Sequence, residues 1–275
     1  MKRRQAFVNA CGLGGLSAVG GLSIRSGFAD VPSFLYHDPR GNKLLKDTLD
    51  NPTFWTGAEE NTYSDSPYDT IRIQQNNGAI VTFITGTGKT AFDPSIVADC
   101  IFQYQDIIPT YMSRLKVGEY LGRGIDPYNA EPYSDMFFLA DIKIFYMSVP
   151  LRTGLVSLGD GRYVCPIELV TEPMVEPSKW TEYTNFMKEK EDTLQGGWTI
   201  FPVVPMEYLV GYYLIEPDKE FGARVSMVTR MQFKQNVSWV ADWGAELPIV
   251  LRQGMIAGFM GSVHACQHRM KELVK

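Results

Sequence analysis

From Arg114 to Lys234 the chain is an almost unbroken series of strand-like segments, and no other feature limits its fold as much. Leu115–Leu121, Met136–Val149, Arg152–Leu158, Tyr163–Thr171, Trp198–Val204, Tyr208–Ile215 and Ala223–Lys234 are separated by turn residues such as Gly159-Asp160-Gly161 and Pro217-Asp218. The last segment is the most regular. Ala223, Val225, Met227, Thr229, Met231 and Phe233 fall on one face, while Arg224, Ser226, Arg230, Gln232 and Lys234 fall on the other. A period of two with apolar residues on one side predicts an antiparallel sheet that is wet on its other side. Glu172–Gln195 interrupts the series with a charged stretch, Lys188-Glu189-Lys190-Glu191-Asp192, read as a solvated excursion with a lid as the alternative.

Helices and one early hairpin flank this meander. Residues 30–67 form an irregular lead-in with one short helix near Asn42–Asp50, stopped by Pro52. Asn77-Gly78 signals a two-residue turn between Ile71–Gln75 and Ala79–Thr85, which would pair Ile73 with Thr82 and Ile71 with Ile84. Asp93-Pro94 supplies an N-cap followed by proline at the first helical position, and Ile96, Val97, Cys100, Ile101 and Tyr104 recur at helical spacing behind it. Within Met136–Val149, Phe138, Ala140, Ile142, Ile144 and Tyr146 share an apolar face. Asp141 and Lys143 oppose them as a rim ion pair, with each other or with a neighbour such as Arg152 or Arg230. A last helix runs from about Pro248 to Val274. Its Met255, Ile256, Phe259, Met260, Val263, Cys266, Met270 and Leu273 lie within about 140° of arc, with Gly254, Gly258 and Gly261 opposite. The fold class is α+β.

With 45% apolar and 12% aromatic residues in 275, such a chain can bury a full core without disulfides or a structural metal. The balance of 26 basic to 31 acidic side chains excludes a nucleic-acid binder, and the apolar runs are too short for a multi-span membrane protein. Residues 1–29 are a separate object. Lys2-Arg3-Arg4, the uncharged run 10–24 and Gly27-Phe28-Ala29 have the order of a secretory signal cleaved after Ala29. Arg3-Arg4-Gln5-Ala6-Phe7 resembles the twin-arginine pattern, with an ordinary Sec signal as the alternative. Cleavage removes four bases (Lys2, Arg3, Arg4 and Arg25) and no acid, which leaves a formal charge of −9 and a periplasmic or secreted chain. Cys11 goes with the signal. Cys100, Cys165 and Cys266 are too few and too widely spaced for a disulfide framework and are read as buried thiols.

Two motifs look chemical without completing their pattern. Thr85-Gly86-Thr87-Gly88-Lys89-Thr90 ends like a phosphate loop, but Phe83 stands where that motif needs its first glycine. His264 and His268 have the spacing of a zinc pair, with Ala265 where a metalloprotease carries its Glu. No nucleophile elbow or dinucleotide turn is present, so no catalytic residue, metal or cofactor is assigned.

Three stretches carry a family resemblance over roughly residues 70–275. Phe92-Asp93-Pro94-Ser95-Ile96-Val97-Ala98-Asp99 resembles the start of the helix that follows the family's early strands. Tyr146-Met147-Ser148-Val149-Pro150-Leu151-Arg152 resembles its strand ending in Pro with a following Arg-Asp, Thr153 here replacing the Asp. Gly222–Phe233, with Asp242 and Leu247-Pro248 behind it, resembles its final strand and the start of its last helix. The family is the START, polyketide-cyclase (SRPBCC) superfamily. The resemblance implies a helix-grip fold, a curved antiparallel sheet wrapped around the long C-terminal helix, with a START-like domain over 68–275 and the charged insertion near 172–195. It also implies an internal cavity for a lipid, sterol or other hydrophobic molecule. Phe138, Ile142, Ile144, Tyr146, Arg152, Ile167, Met227 and Met231 would line that cavity from the sheet, and Met255, Phe259, Met260 and Val263 from the helix. The expected protein is a monomer that holds and transfers its ligand, with transient membrane contact. A cyclase- or hydrolase-type enzyme using the same cavity, and a protein-interaction module with a filled core, are the alternatives. Replacing Arg3 and Arg4 together by Lys is expected to hold the precursor in the cytoplasm. Unimpaired secretion, read by cell fractionation, would assign the signal to Sec.

Overall fold

The computed structural model describes residues 35–51, 68–76, 81–103, 115–142, 145–196, 201–234 and 236–237. The signal 1–29, the helix read over 248–274 with its glycines, Cys266 and the His264/His268 pair all lie outside the described residues, as do Asn77-Gly78, Lys143 and Ile144.

Two helices start in the same way. In α1 (Pro39–Thr48) the Asp38 carboxylate accepts the Arg40 N–H, and in α2 (Pro94–Phe102) the Asp93 carboxylate accepts the Ser95 N–H, with proline next to the cap in each. The Asp-Pro signal thus places the first helix at Pro39, three residues before the expected Asn42. Ile96 of α2 is exposed, and Val97, Ala98, Cys100 and Ile101 form its buried side.

The described residues contain nine strands: β1 (Tyr68–Asn76), β2 (Val81–Thr90), β3 (Leu115–Ile125), β4 (Pro132–Asp141), β5 (Tyr146–Gly154), β6 (Val156–Gly159), β7 (Arg162–Leu169), β8 (Val203–Asp218) and β9 (Gly222–Phe233). They form one curved, unclosed sheet in the order β1-β2-β9-β8-β7-β5-β4-β3, with β6 paired to β7. All pairings are antiparallel except a short parallel contact of Tyr146–Ser148 in β5 with Val203–Pro205 in β8. The 20-residue α3 (Pro177–Gly196) occupies the charged stretch that was read as a solvated excursion.

The strand boundaries differ from the expected ones where a turn or bulge hides in an apolar run. Met136–Val149 spans two strands, β4 and β5, and Val203-Val204, the end of the expected Trp198–Val204, lies with Tyr208–Ile215 in the single strand β8 across a bulge between Met206 and Tyr208. The early hairpin pairs Ile73 with Ile84 and Gln75 with Thr82, and its last pair, Asn76 with Val81, leaves four residues in the connection instead of two. A slip of two leaves every side chain on its own face, so the apolar alternation cannot tell these registers apart.

The expected wet face is covered. One face, here called inner, packs on α2: Met136 and Phe138 of β4, Val149 of β5, Cys165 and Ile167 of β7, Leu209 and Ile215 of β8 and Val225, Met227, Met231 and Phe233 of β9 share one buried cluster with Val97 and Ile101. The other, outer face carries two helices. Leu44 and Leu45 of α1 cover Tyr208, Val210, Tyr212, Leu214 and Val228. Phe186, Met187 and Leu194 of α3 cover Phe137 and Leu139. Val228 is as fully buried as Val225, its neighbour on the inner face. Met227→Asp and Val228→Asp are therefore each expected to cost at least about 3 kcal/mol in urea unfolding. A mild effect of the second alone would mean that α1 does not cover β9.

Candidate functional site

The described inner face is built from apolar side chains, because β4, β7, β8 and β9 each turn one alternate set toward α2. Of the residues expected to line a cavity, Phe138, Ile142, Ile167, Met227 and Met231 lie together in this cluster. Tyr146 and Arg152 do not. The β4–β5 register pairs Phe138 with Val149, so even-numbered residues of β4 share a face with odd-numbered residues of β5. Tyr146 therefore packs beside Phe137 and Leu139 under α3, and Arg152 is on the outer face with it. The Ile144, Met255, Phe259, Met260 and Val263 positions lie outside the described residues. Asp141 meets Lys116 at 4.0 Å on the rim, and Cys100 and Cys165 are buried cysteines outside any disulfide, the thiol of Cys165 pushed up by burial.

The same parity assembles a polar centre on the outer face. Register sets Asp135 of β4, Arg152 of β5 and Glu168 of β7 side by side. Arg152 donates to Asp135 through Nε (2.7 Å) and Nη2 (2.9 Å), and to Asp126 Oδ2 through Nη1 (2.8 Å), while its guanidinium lies 3.9 Å from the ring centre of Tyr133. Tyr183 of α3 donates to Asp135 Oδ2 at 3.3 Å, and the His37 Nε2 meets Asp126 Oδ2 at 2.7 Å. Glu168 accepts the backbone N–H groups of His37 and Asp38 at 3.3 and 3.1 Å, so the approach to α1 is tied to β7.

Burial works against the charge of Arg152, yet the hydrogen bonds and charge of Asp135, with Asp126 behind them, raise its pKa overall. Burial likewise disfavours ionised Asp126, but the contacts from His37 and from the Tyr128 N–H outweigh it and lower its pKa. Glu168 goes the other way: burial pushes its carboxyl up to about 7 against the pull of its two backbone donors. Beside it a cleft of about 560 Å³ opens between His37, Arg40, Thr171, Met174 and Tyr208. No group of His, Cys, Asp or Glu among the described residues could hold a metal ion.

No protein-family model matches the chain, and no curated protein does. Solved structures do match. A STAR-related lipid transfer protein from Xanthomonas axonopodis is similar with a TM-score of 0.50 at 12% identity, over 78% of this chain and 99% of that one. The fold is the START-like helix grip. Human StAR-related lipid transfer protein 5 (TM-score 0.49, 11% identity, 85% of this chain and 93% of that one) and a START superfamily protein from Mycobacterium smegmatis (0.40, 10%, 70% and 98%) are also similar.

In this fold the acids, His37 and Tyr183 converge on the outer face, and the buried charged side chains among the described residues, Asp126, Asp135, Arg152 and Glu168, all belong to that centre. Sequence reasoning singled out Arg152 but missed Asp126, Asp135, Glu168 and His37. The apolar pattern of β4 and β7 hid two of the acids, and only Asp38-Pro39, read as a helix start, could have pointed to His37.

Glu168 predicts a pH dependence. The unfolded chain holds this carboxyl at its ordinary value of 4.5, so between pH 4.5 and 7 the folded state keeps a proton that the unfolded state has lost. Its stabilising contribution is complete below 4.5 and fades as pH rises through about 7. From pH 5 to 8 the protein should lose about 2–3 kcal/mol relative to Glu168→Gln in urea unfolding. Parallel pH profiles for the two would show that Glu168 is ionised throughout.

Proposed function

We propose that this protein holds a lipid or other hydrophobic molecule against the inner face of its sheet, exported from the cytoplasm and carrying that ligand between membranes. The observation that supports this reading most directly is the apolar inner surface, from Phe138 on β4 and Ile142 just past its end through Ile167 on β7 to Met227 and Met231 on β9, within a START-like fold. The Xanthomonas protein of that fold is named a lipid transfer protein. A ligand that buries its own apolar surface there gains about 25 cal/mol per Å². Met227 and Met231 suit irregular ligands, since an unbranched thioether adapts to the shape beside it. The apolar stripe of 248–274 would close the site from the other side, and release would require that segment or an adjoining loop to move.

The twin-arginine-like start supports export. The formal charge of −9 after cleavage leaves membrane contact to a local, transient patch. The protein works as a monomer, without nucleic acid.

Full-length protein purified from its own compartment should show, in native mass spectrometry, a mass above that of the bare chain, with the excess recovered in organic extract. The emptied protein should bind the neutral fluorophore 1-N-phenylnaphthylamine saturably. A bare mass together with no fluorophore binding would overturn the reading and favour a filled core.

A further inference from the structure

One polar atom on the inner face has no partner. Thr229, 2% exposed in the middle of β9, carries the only buried side-chain oxygen or nitrogen among the described residues that makes no hydrogen bond. Its hydroxyl stands in an apolar setting: Met227 and Met231 precede and follow it on the same face, and Leu209 and Tyr213 flank the position opposite it on β8. That position is Gly211. A Cβ there would come within 2.4 Å of the Val228 carbonyl oxygen and 2.9 Å of Thr229 Oγ1, so the absence of a side chain at 211 leaves the space beside the hydroxyl. A valine of the same shape at 229 would fill this face without burying an orphan group. Thr48 of α1, also buried, is satisfied, bonding both Leu44 O and the Tyr212 hydroxyl.

Resting on the ligand-holding reading above, we infer that Thr229 Oγ1 is the hydrogen-bonding anchor for a neutral oxygen, a hydroxyl or carbonyl, of an otherwise apolar ligand. Neutrality follows from where the charges are. The buried ionic groups among the described residues, Asp126, Asp135, Arg152 and Glu168, all belong to the outer-face centre, which leaves no buried counter-charge beside Thr229. A carboxylate or phosphate at Thr229 would be desolvated without compensation, whereas a hydroxyl or carbonyl needs only the one partner that Thr229 itself lacks.

The test displaces 1-N-phenylnaphthylamine from the full chain with decanol, decane and decanoate, in the native protein, Thr229→Val and Thr229→Ser. Thr229→Val keeps the side-chain shape and should stay folded, with a melting temperature at or above the native one. The ratio of decanol to decane affinity should fall about tenfold in Thr229→Val, the worth of one buried hydrogen bond, and return in Thr229→Ser. Decanoate should bind more weakly than decanol. An unchanged ratio in Thr229→Val with the fluorophore still bound, or a preference for decanoate, overturns the anchor and leaves the ligand-holding reading standing. Absence of fluorophore binding to the native chain defeats that reading and the anchor with it.

Discussion

Strand β8 is buried on both faces, and most of the architecture answers that constraint. Leu209, Tyr213 and Ile215 point to the inner side and Tyr208, Val210, Tyr212 and Leu214 to the outer, so a single layer cannot cover them. The lead-in supplies the second layer. Leu44 and Leu45 of α1 lie over the outer side of β8, Tyr36 donates to the Gly211 carbonyl at 2.5 Å, and Thr48 meets the Tyr212 hydroxyl at 2.6 Å. Asn42 clips the approach by accepting the N–H groups of Leu35 and Tyr36 and donating to the Tyr36 carbonyl. At β4 the same demand falls on α3, whose Phe186 stands edge-on to Phe137 at 6.2 Å.

Between the two outer helices the sheet carries charge. Arg152 is fastened to Asp135 and Asp126. Through those acids it reaches Tyr183 of α3 on one side and His37, just before α1, on the other. Removing either member of such a pair strands a buried charge, so the centre specifies how both outer helices sit more than it adds net stability. Its position also keeps ionic groups off the described inner face, which leaves that surface free to meet apolar matter.

Much of this was legible where a signal is local or periodic. Asp93-Pro94 placed α2, and the alternation in β9 correctly named Met227, Thr229 and Met231 as one face. The companion face reads as wet because Arg224, Arg230 and Gln232 are exposed or half-buried at its ends, while Ser226 between them is buried and Val228 is covered by a helix distant in sequence. Arg152 was picked out for its chemistry and assigned to the wrong side. Residues 142–145 continue the alternation of β4 without a proline or glycine, and a face counted from β4 into β5 comes out inverted. The charged stretch of α3 looked wholly solvated because few of its twenty residues, Phe186, Met187 and Leu194 among them, pack on the sheet.

By itself the sequence determined the start of α2, the strand-rich middle and the α+β class, since capping and side-chain alternation act over a few neighbouring residues. It also determined which residues of β9 share a face, because a strand's period of two admits no other grouping. Only the tertiary structure decided which face each set meets, that Asp135, Arg152 and Glu168 stand in one row, and that Thr229 lacks a partner. Those facts depend on pairing between segments far apart in the chain. A register shift of two leaves every local pattern intact while it changes every neighbour.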